Sequence, residues 1–323
     1  MPDLHEKLIV IDGLIVSNFG RDIFEDMRKG GVTAANCTCS VWENFAETMQ
    51  NVAKWKKWFR DSSDLITQVY TAEDILRAKR ENKTGIILGW QNTSGIEDKI
   101  EYLELFHQLG VRIIQMTYNT QNLVGSGCYE SRDSGLSDFG RDVVAEMNRL
   151  GILCDLSHVG GKTSEDAIVA SKQRVAYSHC LPAGLKAHQR NKSDEQLRFI
   201  AEHEGFVGVT MFTPFLKKGT DSVVDDYVEA IEYVINLVGE DKVGVGTDFT
   251  QGYDQKFFDW ITHDKGFGRK LTDFGAIENP AGFRTIGEFP NLTDAMQRRQ
   301  WSSGRIEKVM GGNWLQLLKD VWK

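Results

Sequence analysis

Proline and cysteine are both scarce, five of each in 323 residues. With so few prolines, and with no low-complexity stretch or charge block, nothing marks a linker, and one domain over residues 1–323 is expected. The cysteines (Cys37, Cys39, Cys128, Cys154 and Cys180) are odd in number and lack C-x-x-C spacing. That excludes a disulfide framework and leads us to expect reduced thiols. No apolar run reaches the roughly 18 residues that a membrane span needs. The start, Met1-Pro-Asp-Leu-His-Glu-Lys, has no basic stretch followed by an apolar one, so no secretory signal is expected and a cytoplasmic location is. Positive charge is also in deficit. The formal net charge of −8 speaks against a nucleic-acid or anionic-membrane partner, since both reward basic patches.

What is present is a regular alternation. Eight short apolar runs are candidate strands: Leu8–Asp12, Val32–Cys37, Gly85–Gly89, Arg112–Met116, Leu153–Leu156, Val175–Ser178, Phe206–Met211 and Val243–Gly246. Continuous apolar runs suit strands buried on both faces. Helical periodicity fills the gaps over Ala72–Glu81, Ile96–Leu109, Gly140–Leu150, Thr163–Ser171, Asp194–His203 and Val223–Val238, with a closing helical stretch Ile306–Trp322 broken by Gly311-Gly312. Ser137 or Asp138 can cap the Gly140–Leu150 helix and Gly151 can end it. Eight strands separated by helices predict a closed α/β barrel of the (β/α)8 TIM type, with an open doubly wound sheet as the alternative. The stretch from Gln251 to Pro290 is long for a barrel connection and is expected to cover part of the mouth.

In such a barrel chemistry sits just past the carboxyl ends of the strands. His158 and His179 follow adjacent strands, and Asp248 follows the last one. Neutral imidazole is the commonest metal-binding side chain. Two imidazoles with a nearby carboxylate could hold one zinc and activate water. His5, His107, His188, His203 and His263 fall in helices or loops and are read as surface residues, His188 with the best claim to an exception. Cys37 and Cys39 share a strand face and read as small core hydrophobes. Arg190 lies in a basic loop after the sixth strand and could clamp a carboxylate. Trp42, Trp90 and Tyr118 at strand ends, with Tyr129 and Trp260 beyond them, read as mouth filling or as a box for a ligand.

At these positions the sequence resembles the membrane (renal) dipeptidase family of barrel metallopeptidases, from about Leu8 to Trp322. The densest match is Gly135-Leu-Ser-Asp-Phe-Gly-Arg-Asp-Val-Val-Ala-Glu-Met-Asn-Arg-Leu-Gly-Ile-Leu-Cys-Asp-Leu-Ser-His158-Val. Tyr177-Ser-His179, Arg190-Asn191, Val243-Gly-Val-Gly-Thr-Asp248-Phe and Gly312-Asn313-Trp-Leu follow it. The resemblance implies metal ligation by His158 and His179, carboxylate binding by Arg190 and proton transfer by Asp248. The family's first strand reads Asp-Gly-His-x-Asp. Here the same stretch is Asp12-Gly13-Leu14-Ile15-Val16, with hydrocarbon at both ligand positions. Gln91 stands where the family has a glutamate bridging two zincs, and Tyr118 where it has a substrate-contacting histidine.

We therefore expect a dipeptidase-like hydrolase of a small amide carrying a carboxylate, with at most one divalent metal, zinc, on His158 and His179. Asp248, Gln91 and Tyr118 are the catalytic candidates, and Arg190, Tyr118 and Asn119 the substrate-binding ones. A metal-free acid/base enzyme and a non-catalytic small-ligand barrel are the alternatives. A homodimer is the expected assembly, because two-fold dimers are the commonest oligomers.

Overall fold

The computed structural model describes residues 3–323. Nine strands form one sheet: β1 (Ile11–Ile15), β2 (Ala34–Ser40), β3 (Ile66–Gln68), β4 (Thr84–Trp90), β5 (Val111–Gln115), β6 (Leu153–Asp155), β7 (Ala176–Cys180), β8 (Phe206–Val209) and β9 (Val243–Val245). Eight pair in parallel in the order β1-β2-β4-β5-β6-β7-β8-β9, while β3 pairs only with the start of β4. The ring closes just past β1 and β9. Ile15 bridges Phe249, Asp248 N donates to Leu14 O at 3.0 Å, and Val16 N donates to Phe249 O at 3.0 Å. The chain is a (β/α)8 barrel, and the open-sheet alternative falls.

All eight expected runs contribute a strand, although β1 lies three residues later than its apolar run suggests. The added strand β3 is too short and too mixed to show a period. The helix at Asp138–Leu150 carries both expected ends: Ser137 Oγ accepts from Gly140 N at 2.9 Å, and Gly151 turns left-handed at φ 74°. Its Val143, Val144, Met147 and Leu150 face the barrel, the spacing that puts side chains on one helical face. The helix expected over 96–109 begins only at Tyr102, because Glu97 takes a left-handed φ of 53° that breaks the preceding turn.

The amino-terminal end of the barrel is plugged by Trp314 from the closing helix Asn313–Val321. The indole is buried, lies 4.3 Å from the Phe206 ring and donates from Nε1 to Val245 O at 2.8 Å. Only glycine fits beside it: a Cβ on Gly244 would sit 2.7 Å from the indole, and Gly13 and Gly208 face it too. His5 corrects the surface reading. It is buried, with Nδ1 2.7 Å from Thr293 Oγ1 and Nε2 2.9 Å from Gly30 O, tying the amino terminus to the helix Phe289–Arg298. Cys37 and Cys39 are buried in the main apolar cluster, as expected of small hydrophobes.

Candidate active site

The strand ends carry two carboxylates that hold the rim together. Asp12, the second residue of β1, accepts from Leu14 N, Thr247 N and Thr247 Oγ1 across the β1–β9 seam. Asp155, ending β6, accepts from Ser157 N, Ser157 Oγ, Ser178 N and Ser178 Oγ. Four donors around one carboxyl mark it as an ionised acceptor. Sequence reading passed over both aspartates and Ser178, because a buried Asp-hydroxyl network leaves no spacing signature.

This network sets the His179 tautomer. Ser178 Oγ gives its proton to Asp155 at 2.5 Å, so at 2.7 Å from His179 Nδ1 it can only accept. His179 therefore carries its proton on Nδ1 and a lone pair on Nε2. His158 Nδ1 lies 2.7 Å from Asn119 Oδ1, an oxygen that the Cys128 thiol also approaches at 3.7 Å, so this Nδ1 donates too. The two Nε2 atoms then face each other at 2.9 Å, both with lone pairs. Burial, and then the Arg190 charge, hold both imidazoles well below their usual pKa. Two neutral imidazoles whose lone pairs converge while their other nitrogens are anchored form a donor pair that suits a divalent cation. Among the described residues, no three His, Cys, Asp or Glu side chains are placed to hold a metal together.

Beside His158 lies a small chamber of about 20 Å³, room for about one water molecule. His158, Asp248, Arg190, Gln91, Tyr118 and Asn119 all line it, so the fold brings these six expected residues together; His179 lies directly behind His158. Tyr118 stacks on His158 with centroids 4.2 Å apart, and burial pushes its hydroxyl above the usual range, keeping it a proton donor. Gln91 commits one amide hydrogen to Thr38 Oγ1 at 2.9 Å. Arg190 is 1% exposed. Its Nη2 donates to His179 O at 2.8 Å, while Nε and Nη1 have no partner. Buried donors are nearly always satisfied, so these two point to an anionic guest.

Asp248 sits at φ 62°, a conformation that non-glycine residues seldom hold outside functional sites. Burial pushes its pKa up to about 7, against the pull of Arg190. Among the described residues no side chain or backbone group donates to its carboxyl. Asn119 shares the left-handed geometry at φ 63°. Lys192 was missed by sequence reading. It is buried near the histidines, donates to Val159 O at 2.7 Å and lies 4.7 Å from the Tyr177 ring centroid.

The first-strand departure is visible in the lining. Val16 faces the chamber, with Val41 beside it. Leu14 is buried but contributes nothing to the lining, because the β1–β2 register shifts between Asp12 and Ile15 and breaks strict alternation. The long segment after β9 forms the roof through Phe257, Ile261 and Phe274, as expected of a cover. Of the proposed aromatic box, only Tyr118 and Tyr129 reach the chamber. Trp90 packs in the core against Phe106, and Trp42 and Trp260 lean on each other at 4.8 Å outside the lining. His188 is half-buried, as are His107 and His263, and accepts from Arg190 N at 3.1 Å.

Residues 20–260 match the family described as membrane dipeptidase, peptidase family M19. A dipeptidase of Claviceps purpurea is 29% identical over 279 residues, covering 85% of this chain and 60% of that protein. An uncharacterized dipeptidase of Schizosaccharomyces pombe is 30% identical over 260 residues, covering 78% of this chain and 56% of that protein. The chain thus spans somewhat over half the length of these curated relatives. Among solved structures, an amidohydrolase from Pseudomonas aeruginosa is 63% identical, with a TM-score of 0.98 over 99% of this chain and 98% of that one. Barrel, histidine pair and sequence match agree: the chain belongs to the membrane dipeptidase family, peptidase family M19.

Proposed function

We propose that this chain hydrolyses a small amide bearing a carboxylate, with at most one divalent metal, zinc, held by His158 and His179. The observation that carries the reading is the convergence of His158, Asp248 and the two free N–H groups of Arg190 on one covered chamber. A zinc ion there would lower the pKa of a bound water and polarise the amide carbonyl. Arg190 takes the substrate carboxylate through one unpartnered nitrogen, Nε or Nη1, together with the second hydrogen of Nη2, the adjacent pair that a planar guanidinium presents to one carboxylate, and so fixes the amide against the histidine side of the mouth. Asp248 accepts the proton of the attacking water as its oxygen bonds to the carbonyl carbon. It then passes that proton to the departing nitrogen as the C–N bond breaks. A pKa near 7 suits both halves of that task. The Tyr118 hydroxyl and the second amide hydrogen of Gln91 are donors for the developing oxyanion. Because the chamber is so small, Phe257, Ile261 and Phe274 must lift for substrate to enter.

That no three His, Cys, Asp or Glu side chains among the described residues are placed to hold a metal together favours a second reading: acid/base catalysis by the same residues without metal. Dialysis against a chelator separates the two. The hydrolase reading expects turnover to be lost and restored by about one equivalent of zinc. Turnover that survives metal removal overturns it in favour of the second.

A further inference from the structure

The acyl half of the substrate can be read from the wall that faces Arg190. In the ring of eight, β7 stands opposite β2, and β6 opposite β1. Arg190 follows β7, so a substrate anchored there lays its other end against the residues after β1 and β2. Those are Val16 and Val41, roofed by Phe257. Among the described residues, Arg190 and Asp248 are the only formally charged side chains in the lining; Gln91, Asn119, Thr250 and the Tyr118 and Tyr129 hydroxyls are its neutral oxygen acceptors.

A dipeptide with a free amino terminus would bring an ammonium group to this wall. Burying a charge without a partner is strongly unfavourable. The one carboxylate within the chamber is Asp248. An ammonium paired with it would hold it ionised and occupy its oxygens, removing the proton carrier. Glu43, in the neighbouring cavity, is outside the lining and already engaged: Oε2 accepts from Val41 N and Trp42 N, and Oε1 from Asn51 Nδ2. That cavity, about 170 Å³, shares Val16, Val41 and Phe257 with the chamber and adds Phe19, Trp55 and Tyr253. It extends the same side with a mixed lining, these aromatics beside the engaged Glu43, Lys54 and several hydroxyl and amide groups.

We infer that the substrates are N-acyl amino acids with an uncharged acyl group, and that peptides with a free amino terminus are rejected. The inference rests on the hydrolase reading of this chamber and narrows it. The balance is that of ordinary amide hydrolysis: water adds to the acyl carbon, the C–N bond breaks, and a carboxylic acid and an amino acid leave.

N-propionyl-alanine and glycyl-alanine make a near-isosteric pair, differing by a methyl in place of the ammonium. Both are offered, as each enantiomer, to the zinc-supplemented full chain. Alanine release gives kcat/KM, and calorimetry gives Kd independently of turnover. N-propionyl-alanine should be preferred at least tenfold in both. Equal or better binding of glycyl-alanine, or no binding of either compound, overturns the inference. If neither is cleaved but N-propionyl-alanine binds at least tenfold tighter, the hydrolase reading fails while the recognition stands. Val16→Asp should shift the binding preference toward glycyl-alanine, and a folded Val16→Asp protein that keeps the original preference counts against the inference.

Discussion

Replacing Arg190 with methionine should move affinity and stability in different ways, and the structure fixes the sizes. Arg190 is a buried cation with one protein hydrogen bond, to His179 O, and two N–H groups left free. Hydrogen bonds to a charged partner are worth about 1.5–3 kcal/mol each. Two of them to a bound carboxylate amount to about 3–6 kcal/mol, or roughly 10²–10⁴ in affinity at about 1.4 kcal/mol per tenfold. Removing a typical interaction from a buried site normally costs stability. Here the variant also removes an under-compensated buried charge, and apolar replacements of such groups are often neutral or stabilising. Arg190→Met should therefore lose no more than about 1.5–3 kcal/mol of stability, the size of the single charge-assisted bond lost, with the relieved desolvation offsetting part of it. Its affinity for an N-acyl amino acid should fall at least a hundredfold. Calorimetry with N-propionyl-alanine and urea unfolding of the ligand-free protein measure the two quantities. A variant destabilised by several kcal/mol with unchanged affinity would show that Arg190 is a structural strut, and the reasoning from its free donors would be wrong.

Other outcomes follow from the same geometry. Asp248→Asn should lower kcat by about 10²–10⁴ while leaving substrate affinity near wild type. As a base, Asp248 must be ionised, so kcat/KM should rise with pH through about 7 and level off above it, a limb that the asparagine variant lacks. Asp12 is also raised to about 7 and is buried, so the folded state holds its proton more tightly than the unfolded chain does. Its contribution to stability is then present below about pH 4 and lost as pH rises toward 7; Asp12→Asn should flatten that part of the stability profile. Trp314→Ala should cost about 3–5 kcal/mol in chemical unfolding, since the surrounding glycines carry no side chain to fill the space.

The sequence announces the barrel because each buried strand is a short unbroken apolar run, and His158, His179 and Asp248 stand where such runs end. Short or irregular pieces escape that reading. β3 has three residues and no period, and the helix Phe45–Asp61 went uncounted although Asn44 and Glu47 form its capping box. Residues that act through hydrogen bonds are harder still. Asp155, Ser178 and Asn119 fix the imidazoles by contacts between different strand ends, and no spacing within one segment encodes those. Strict alternation along β1 would put Leu14 and Val16 together at the mouth. The register shift after Asp12 leaves only Val16 there, a deviation that pairing rather than composition produces.

On the proposed reading, two anchored imidazoles present their Nε2 lone pairs to one cation beside Asp248 and Arg190. Anomalous diffraction at the zinc edge, on crystals grown with excess zinc, tests this directly. One peak between His158 and His179, with none on the Val16–Gln91 side, is the predicted result. Two peaks, or none at the histidine pair, would contradict it.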